Sequence, residues 1–367
     1  MRTANGKTLA IGRTAAWLRP RLGFLVCAGE WQAGECSGFM TSADIQNCEP
    51  PALPESLTFA IQAIATDAGY EIGRDDLNAA LGLSFYVTAV PREGDLGCWP
   101  MYARDAFLVE AGRLFGFTIR DMHPPEAARG LRGVPEFRQH FDASYRPLVQ
   151  RALENGQRVL AWQGWPGDRE LMWGLITASC DSGIGLRGAT YGSADSPLTP
   201  EAAVLTKPPV QLYVVESVQP TNPEPQRLLR LALENAGKIL SNELAERFDV
   251  LMGPSAYDLW IERLRNSPTA ESAMPDALES HRRLATAVIA GHQSAIRFLE
   301  ARITAATSQR RASVKRLTSL CRSIVGSLEQ SLRAAVPPTV GGSPRVPATI
   351  LDSLARAHDT TEEMLTA

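Results

Sequence analysis

The sequence lacks the short motifs that mark several large enzyme classes. It contains no phosphate-binding loop of the form G-x-x-x-x-G-K-[ST], no H-E-x-x-H pair and no G-x-S-x-G elbow. It also contains no run of 18 apolar residues, so neither a transmembrane helix nor a membrane partner is predicted. The sequence motifs therefore give no support for P-loop nucleotide hydrolysis, zinc proteolysis or α/β-hydrolase chemistry.

Cysteine is scarce as well. Six cysteines are spread over 367 residues, and the two nearest ones, Cys27 and Cys36, are nine residues apart. The C-x-x-C spacing of zinc and redox sites is absent, and the density is low for a secreted disulfide framework. We therefore predict a cytoplasmic protein with reduced thiols, without a metal and without a cofactor.

An excess of one charge is also lacking, because 37 basic residues face 40 acidic ones and the net charge is −3. No global field attracts the chain to nucleic acid, which is not expected as a partner. The local exception is the segment 302–333, with seven basic residues, a single acid and no aromatic residue for base stacking. We interpret it as a helical face that packs on the acidic N-terminal part, with an interaction surface as the alternative.

The first 29 residues contain five basic residues and no acid, and they end in a short apolar run, Leu22–Cys27. A secretory signal has the same order of regions. The run is short, it is interrupted by Gly23, and no small-x-small cleavage site follows it. The favoured interpretation is a loosely structured extension over residues 1–50, followed by a proline-rich stretch before the folded part.

The remaining sequence has enough apolar residues, 44% of the chain, for an ordinary buried core. Up to residue 222 the patterns change from helical spacing to short β-branched runs, which predicts an α+β domain over residues 51–222. The predicted helices cover 55–69, 75–81, 104–115 and 145–154. The predicted strands cover 117–120, 158–162, 172–178, 183–186 and 210–216.

After residue 222 only helical patterns are found, which predicts an all-helical domain over residues 223–336. A linker rich in proline and glycine over 337–347 and a C-terminal helical segment over 348–367 follow it. The predicted helices are Gln226–Asp249, Ser255–Arg265, Ala277–Arg302, Ser308–Ala334 and Thr349–Met364.

Four stretches carry a family resemblance: a helix that opens at Ser56, the L-x-x-A-L-G-L-S-F pattern of 77–85, the segment 148–162, and the run M-W-G-L-I-T of 172–177. Together they resemble the papain-like, C39-peptidase-like families of uncharacterised bacterial proteins, to which the butirosin-biosynthesis H-type acyltransferases are related. The resemblance covers about residues 55 to 265. It implies a papain-like α+β domain followed by a helical domain.

In such families a cysteine nucleophile opens the first helix and a histidine base begins the facing strand. The nucleophile position falls here on Ser56 or Thr58, and the histidine position falls on Met172. Because a thioether accepts no proton in water, the resemblance implies a degenerate site without peptidase activity. A cysteine- or serine-dependent acyltransferase or amide-forming enzyme that uses Cys98 or Ser56 is the alternative.

Two further groups are candidates for chemistry. Cys98, in a loop-like Gly-Cys-Trp-Pro context, could be a nucleophile if the fold brought His123 or His140 to it, but a structural thiol is the simpler interpretation. Asp142 lies two residues after His140, a spacing at which the two side chains are not expected to meet. His281 and His292 share a helix face, but their spacing of eleven residues does not fit metal ligation.

The densest aromatic group could line a ligand pocket or could form the core beside a strand hairpin. It consists of Trp162, Trp165 and Trp173, with Glu170 nearby. As a whole, the sequence predicts a degenerate papain-like protein that binds a small molecule or peptide in the cleft between its two domains.

Overall fold

The computed structural model describes residues 55–92, 96–122, 136–167, 171–191, 200–267, 274–304, 306–335 and 346–367. The fold is mixed α+β with a helical C-terminal region, which is the coarse class predicted from the sequence. The predicted extension 1–50 and most of the predicted linker lie outside the described residues. No helix among the described residues is long and apolar enough to cross a membrane.

The mixed α+β region, which ends with the last strand of the sheet at Val218, contains five α-helices among its described residues. They are α1 (Ser56–Asp67), α2 (Arg74–Ala80), α3 (Leu108–Leu114), α4 (Glu136–His140) and α5 (Arg146–Glu154). A 3-10 helix at Leu83–Phe85 follows α2, another at Leu96–Met101 precedes α3, and a π-helical turn at Phe141–Tyr145 joins α4 to α5.

Six strands form one antiparallel sheet in the order β2-β7-β3-β4-β5-β6. Their bounds are β2 (Phe117–Asp121), β3 (Arg158–Trp162), β4 (Trp173–Ser179), β5 (Leu186–Thr190), β6 (Glu201–Val204) and β7 (Gln211–Val218). A separate two-residue pairing joins β1 (Thr88–Ala89) to β8 (Leu251–Met252).

Both faces of the central strands are buried, so these strands are apolar throughout rather than alternating with polar residues. In β3, Val159 and Ala161 belong to one core, and Leu160 and Trp162 belong to the other. The core that contains Leu160 is covered by α1 and α3, and the core that contains Val159 is covered by α4 and α5. The sheet therefore separates a large core from a small one.

Helix α1 forms as its apolar spacing predicts. Leu57, Ala60, Ile61 and Ile64 are almost fully buried and make its inner face. The chain leaves the helix through Gly69, whose φ of +74° is a left-handed conformation that glycine adopts without strain. The inner face contacts β4, which brings the start of α1 against the start of that strand.

The C-terminal region contains six helices among its described residues. They are α6 (Pro225–Leu240), α7 (Ala245–Phe248), α8 (Pro254–Arg265), α9 (Met274–Arg302), α10 (Ser308–Ala334) and α11 (Ala348–Met364). The longest of them, α9, also packs on α2 and on both 3-10 helices of the mixed region. The large core therefore continues from Leu57 to Met364 without interruption.

Three predicted elements have wrong bounds, and one short strand was not predicted. Residues 183–185 form the turn of the β4–β5 hairpin, and the strand begins only at Leu186, because Gly183 and Gly185 have positive φ. The helix predicted to reach Asp249 ends at Leu240, and the short α7 follows it. The helix predicted from Arg104 begins at Leu108. One strand, β8, lies after residue 222, where none was predicted.

Candidate functional site

The structure places Ser56, the predicted nucleophile position, against Trp173, the residue that follows the predicted histidine position. Ser56 is the first residue of α1, and its Oγ accepts a hydrogen bond of 2.9 Å from the backbone N–H of Trp173, the first residue of β4. Met172 directly precedes this contact and is half-buried. The first turn of α1 therefore lies against the start of β4.

Within the described part of the chain, no base activates a nucleophile at this contact. The Ser56 side chain is 3% exposed, and its oxygen is engaged by the Trp173 amide rather than by a base. Thr58, the other nucleophile position, is fully buried and donates its hydroxyl proton to Asn78 Oδ1 at 2.6 Å. Among the described residues no histidine forms a hydrogen bond with either side chain. Neither hydroxyl is activated by the neighbours that acyl transfer needs.

A buried polar network lies beside this contact. Glu55, 3% exposed, accepts a hydrogen bond of 2.6 Å from Asn78 Nδ2 and an ion-paired one of 3.2 Å from Arg74 Nε. Asn78 also contacts Ser294 Oγ on α9, and it is fully buried. One amide therefore connects the start of α1, α2 and the helical region.

The network ends in an ion pair between the two regions. Ser294 donates to Asp75 Oδ1 at 2.7 Å, and Arg297 donates two hydrogen bonds of 2.9 Å to the same carboxylate. Burial by itself opposes ionisation of Asp75, but the hydrogen bonds from Arg297 and Ser294 and the charges of Arg297 and Arg74 hold its pKa below the ordinary value. This polar contact fastens α9 to α2.

The predicted tryptophan pocket is wrong as a single site, because the sheet separates its members. Trp162 and Trp173 stack at 6.5 Å in the large core, whereas Trp165 belongs to the small core. All three indoles are buried, at 7% exposure or less. Glu170 lies outside the described residues. The core interpretation of this group therefore holds for the three tryptophans.

The candidate cysteine and its proposed bases are not assembled by the described residues. The backbone of Cys98 belongs to the 3-10 helix Leu96–Met101, but its side chain lies outside the described part, as does the whole of His123. His140 packs edge-on against Tyr145 at 5.6 Å. Asp142 pairs with Arg138 and Arg146 instead of with the imidazole, as its spacing predicted.

The thiol of Cys321 is not a candidate nucleophile. It is fully buried in α10, and burial raises its pKa to about 12. A thiol reacts as the thiolate, so this side chain is inert at neutral pH. Cys180, half-buried after β4, is the other free cysteine of the described residues.

Among the described residues one group has the composition of a metal site. His358, Asp359 and Glu362 lie on α11 with ligand atoms within 4.8 Å of one another. The two carboxylates are exposed, and the imidazole already contacts Asp359 at 3.1 Å and Asp258 at 3.5 Å. These contacts of the imidazole with Asp359 and Asp258 account for the arrangement.

Residues 183–188 have the glycine spacing G-x-G-x-x-G, which in dinucleotide-binding proteins joins a strand to a helix. Here Gly183 and Gly185 form a hairpin turn, and Gly188 lies inside β5. A Cβ atom at Gly188 would come within 1.8 Å of the carbonyl oxygen of Leu175, so close strand pairing explains this glycine. Among the described residues, strand β5 and not a helix follows Gly185, so this segment has no helix N-terminus to bind a pyrophosphate.

A cleft of about 450 Å³ lies between α6 and α10. Phe85 of the mixed region forms part of its wall, and the end of α11 forms another part. Most of the lining is apolar, and Gly237 leaves open space where a side chain would stand. The apolar lining residues are Phe85, Leu233, Ala236, Leu240, Leu317, Met364, Leu365 and Ala367.

A second, polar pocket of about 180 Å³ adjoins this cleft, since Arg230 and Glu234 line both of them. It lies between α3 and α6, and its other charged residues are Glu110, Arg113 and Arg227. The sequence analysis did not identify either opening. A glycine within the strongly amphipathic pattern of α6 was the available signal.

Three of the seven basic residues of segment 302–333 form ion pairs within the protein, and one of these pairs is with the mixed region, as predicted. Arg302 pairs with Asp76 of the mixed region, whereas Arg316 pairs with Glu363 and Arg322 with Glu300, both in the helical region. The four basic residues without an ion pair among the described residues are Arg310, Arg311, Lys315 and Arg333.

Replacement of Ser56 by alanine is expected to reduce stability by about 1–3 kcal/mol, because the buried N–H of Trp173 loses its acceptor. Urea unfolding of the wild type and the S56A variant measures this loss. Ser84→Ala is the matched control, because this buried serine has only a 3.4 Å contact with Ser294, and we expect a smaller loss. Equal losses in both variants would contradict the role of the Ser56–Trp173 bond.

In comparisons with known proteins, no family model matches this sequence, and no curated protein is significantly similar to it.

Proposed function

We propose that this protein binds a small molecule in the cleft between α6 and α10 and has no peptidase activity. The observation that carries the proposal is the cleft itself, a concave apolar space of about 450 Å³ with a few polar groups at its edge. Small-molecule sites in proteins have this composition and typically enclose about 300–1,000 Å³.

The position of the cleft supports the proposal. Its wall combines Phe85 from the mixed region with residues of three helices of the C-terminal region. Several wall residues, including Phe85, Leu240 and Met364, are at least 95% buried and are held by the large core. A preformed wall reduces the ordering that binding requires.

A degenerate papain-like origin of the mixed region is part of the same proposal. The antiparallel sheet, the first helix that lies against it, and the contact between Ser56 and the start of β4 support it. The absence of an imidazole from the hydrogen bonds of Ser56 and Thr58, among the described residues, supports binding without peptide cleavage.

The proposal is tested with 1-anilinonaphthalene-8-sulfonate, a dye that fluoresces when its rings enter an apolar site. Gly237→Leu places a side chain in the open space of the cleft, and Gly326→Leu is the matched control, since that glycine also faces open space on a helix but does not line the cleft. Both variants replace a helical glycine by a better helix former and are expected to fold.

We expect the dye to bind the wild type and the G326L variant with the same affinity and to lose at least tenfold in affinity for the G237L variant. Thermal unfolding of all three proteins shows that each is folded. Equal binding to the G237L variant and the wild type, or no binding to the wild type, would overturn the proposal.

A further inference from the structure

We propose that the ligand is an amphipathic carboxylate, with its apolar part in the cleft and its carboxylate at Arg230. This inference rests on the proposed function and specifies the ligand class of the same site. It follows from the charges at one end of the cleft and from the apolar wall at the other.

The residues of α6 that line the cleft change from charged to apolar along the helix. Arg230 and Glu234 come first, and the open position at Gly237 and the apolar Leu240 come later. Ten residues separate Arg230 from Leu240, which is about 15 Å of helix. A ligand that lies along α6 therefore meets a charged end and an apolar end, as an amphipathic molecule requires.

The charged end is positive. Arg113, Arg227 and Arg230 line the adjoining pocket, and the acids there are Glu110 and Glu234. Three guanidinium groups against two side-chain carboxylates favour an anion at this place.

The arginines at this end are weakly engaged by the protein. Arg230 Nε lies 3.9 Å from Glu234 Oε1, at the limit of an ion pair, and both side chains are more than half exposed. Such surface pairs contribute little, about 0–1 kcal/mol. Arg113 and Arg227 have no ion pair among the described residues. A guanidinium group without a close partner can bind a carboxylate through two parallel hydrogen bonds.

The inference is tested by calorimetric titration of the full chain with decanoate and with decanol, both below the concentration at which decanoate forms micelles. The two probes have the same ten-carbon chain and differ in the head group. The variants are Arg230→Gln and, as a matched control, Arg333→Gln, an exposed arginine of α10 that lines neither opening.

We expect decanoate to bind at least tenfold more tightly than decanol. The R230Q variant is expected to lose most of this difference while its affinity for decanol stays the same, and the R333Q variant is expected to behave as the wild type. Increasing salt should weaken decanoate binding and leave decanol binding unchanged.

Equal affinities for the two probes, or equal decanoate binding by the R230Q variant and the wild type, would overturn this inference. The proposed function would survive that result if the G237L variant still lost binding of the dye. If the G237L variant bound the dye as the wild type does, the cleft itself would be the wrong site, and both proposals would fall.

Discussion

Lowering the pH from 7.5 to 4.5 is expected to reduce the free energy of unfolding by about 5 kcal/mol through two buried histidines. His281 is fully buried and His292 is 1% exposed, both on α9. Burial lowers the pKa of each imidazole from 6.5 to about 4. The charge of Arg282 acts in the same direction on His281, and the Ser331 backbone opposes it.

The direction follows from proton binding. Between about pH 6.5 and pH 4 the unfolded chain binds a proton on each histidine that the native protein does not bind, so stability falls as the pH decreases through this window. Above pH 7 both states are neutral, and these histidines add no pH dependence. At pH 4.5 each histidine accounts for about 2–3 kcal/mol.

Urea unfolding at pH 7.5 and 4.5 measures the effect. The His281→Leu and His292→Leu variants should each lose about half of this histidine-dependent decrease, and the double variant should lose nearly all of it. Gln293→Leu is the matched control, because this exposed neighbour does not titrate. A double variant with the full pH dependence of the wild type would show that the histidines are not the cause.

Replacement of Asn78 by alanine is expected to destabilise the protein by about 3 kcal/mol. Asn78 contacts Thr58, Glu55 and Ser294, and it is fully buried. Its removal leaves the buried carboxylate of Glu55 with fewer partners, and a buried charge that loses a partner is costly. Urea unfolding of the full chain gives the change in free energy.

Asn235→Ala is the matched control, since this asparagine is equally buried but donates a single hydrogen bond, of 2.8 Å, to the carbonyl oxygen of Ala80. We expect a smaller loss, about 1–2 kcal/mol. The double variant Glu55→Ala and Asn78→Ala should cost less than the sum of the two single variants, because the carboxylate is then absent. Additive losses would contradict the coupling between these two side chains.

Helices and strands that are determined by neighbouring residues in the chain could be predicted from the sequence. The bounds of β3 agree with the predicted residues 158–162, because a β-branched and apolar run there follows an Asn-Gly helix end. Helix α1 could be predicted because its apolar spacing and its terminal Gly69 lie in one continuous segment of the chain.

Features that depend on tertiary contacts could not be predicted. The strand β8 has two residues, and it exists only because β1, more than 160 residues earlier, pairs with it. The tryptophan group failed for a similar reason. After β3, Gln163 and Gly164 have φ of +68° and +86°, and this turn places Trp165 on the opposite face of the sheet from Trp162.

The cleft could not be found by spacing either, because its wall joins Phe85, residues of α6, residues of α10 and the end of α11. No local pattern connects these parts of the chain. Only the packing of the helical region on the mixed region brings them together. The arginines at its charged end showed no sequence motif, and Arg310, which lines the cleft, stood out only as one member of a broader basic segment.

The most direct test of the cleft as a ligand site is a crystal structure of the full chain with 12-bromododecanoate, in which anomalous scattering locates the bromine. We expect a bromine peak between α6 and α10, beside Gly237 and Leu240, and carboxylate density at Arg230. A bromine peak at another place on the protein, with the cleft free of ligand density, would contradict the proposed binding site.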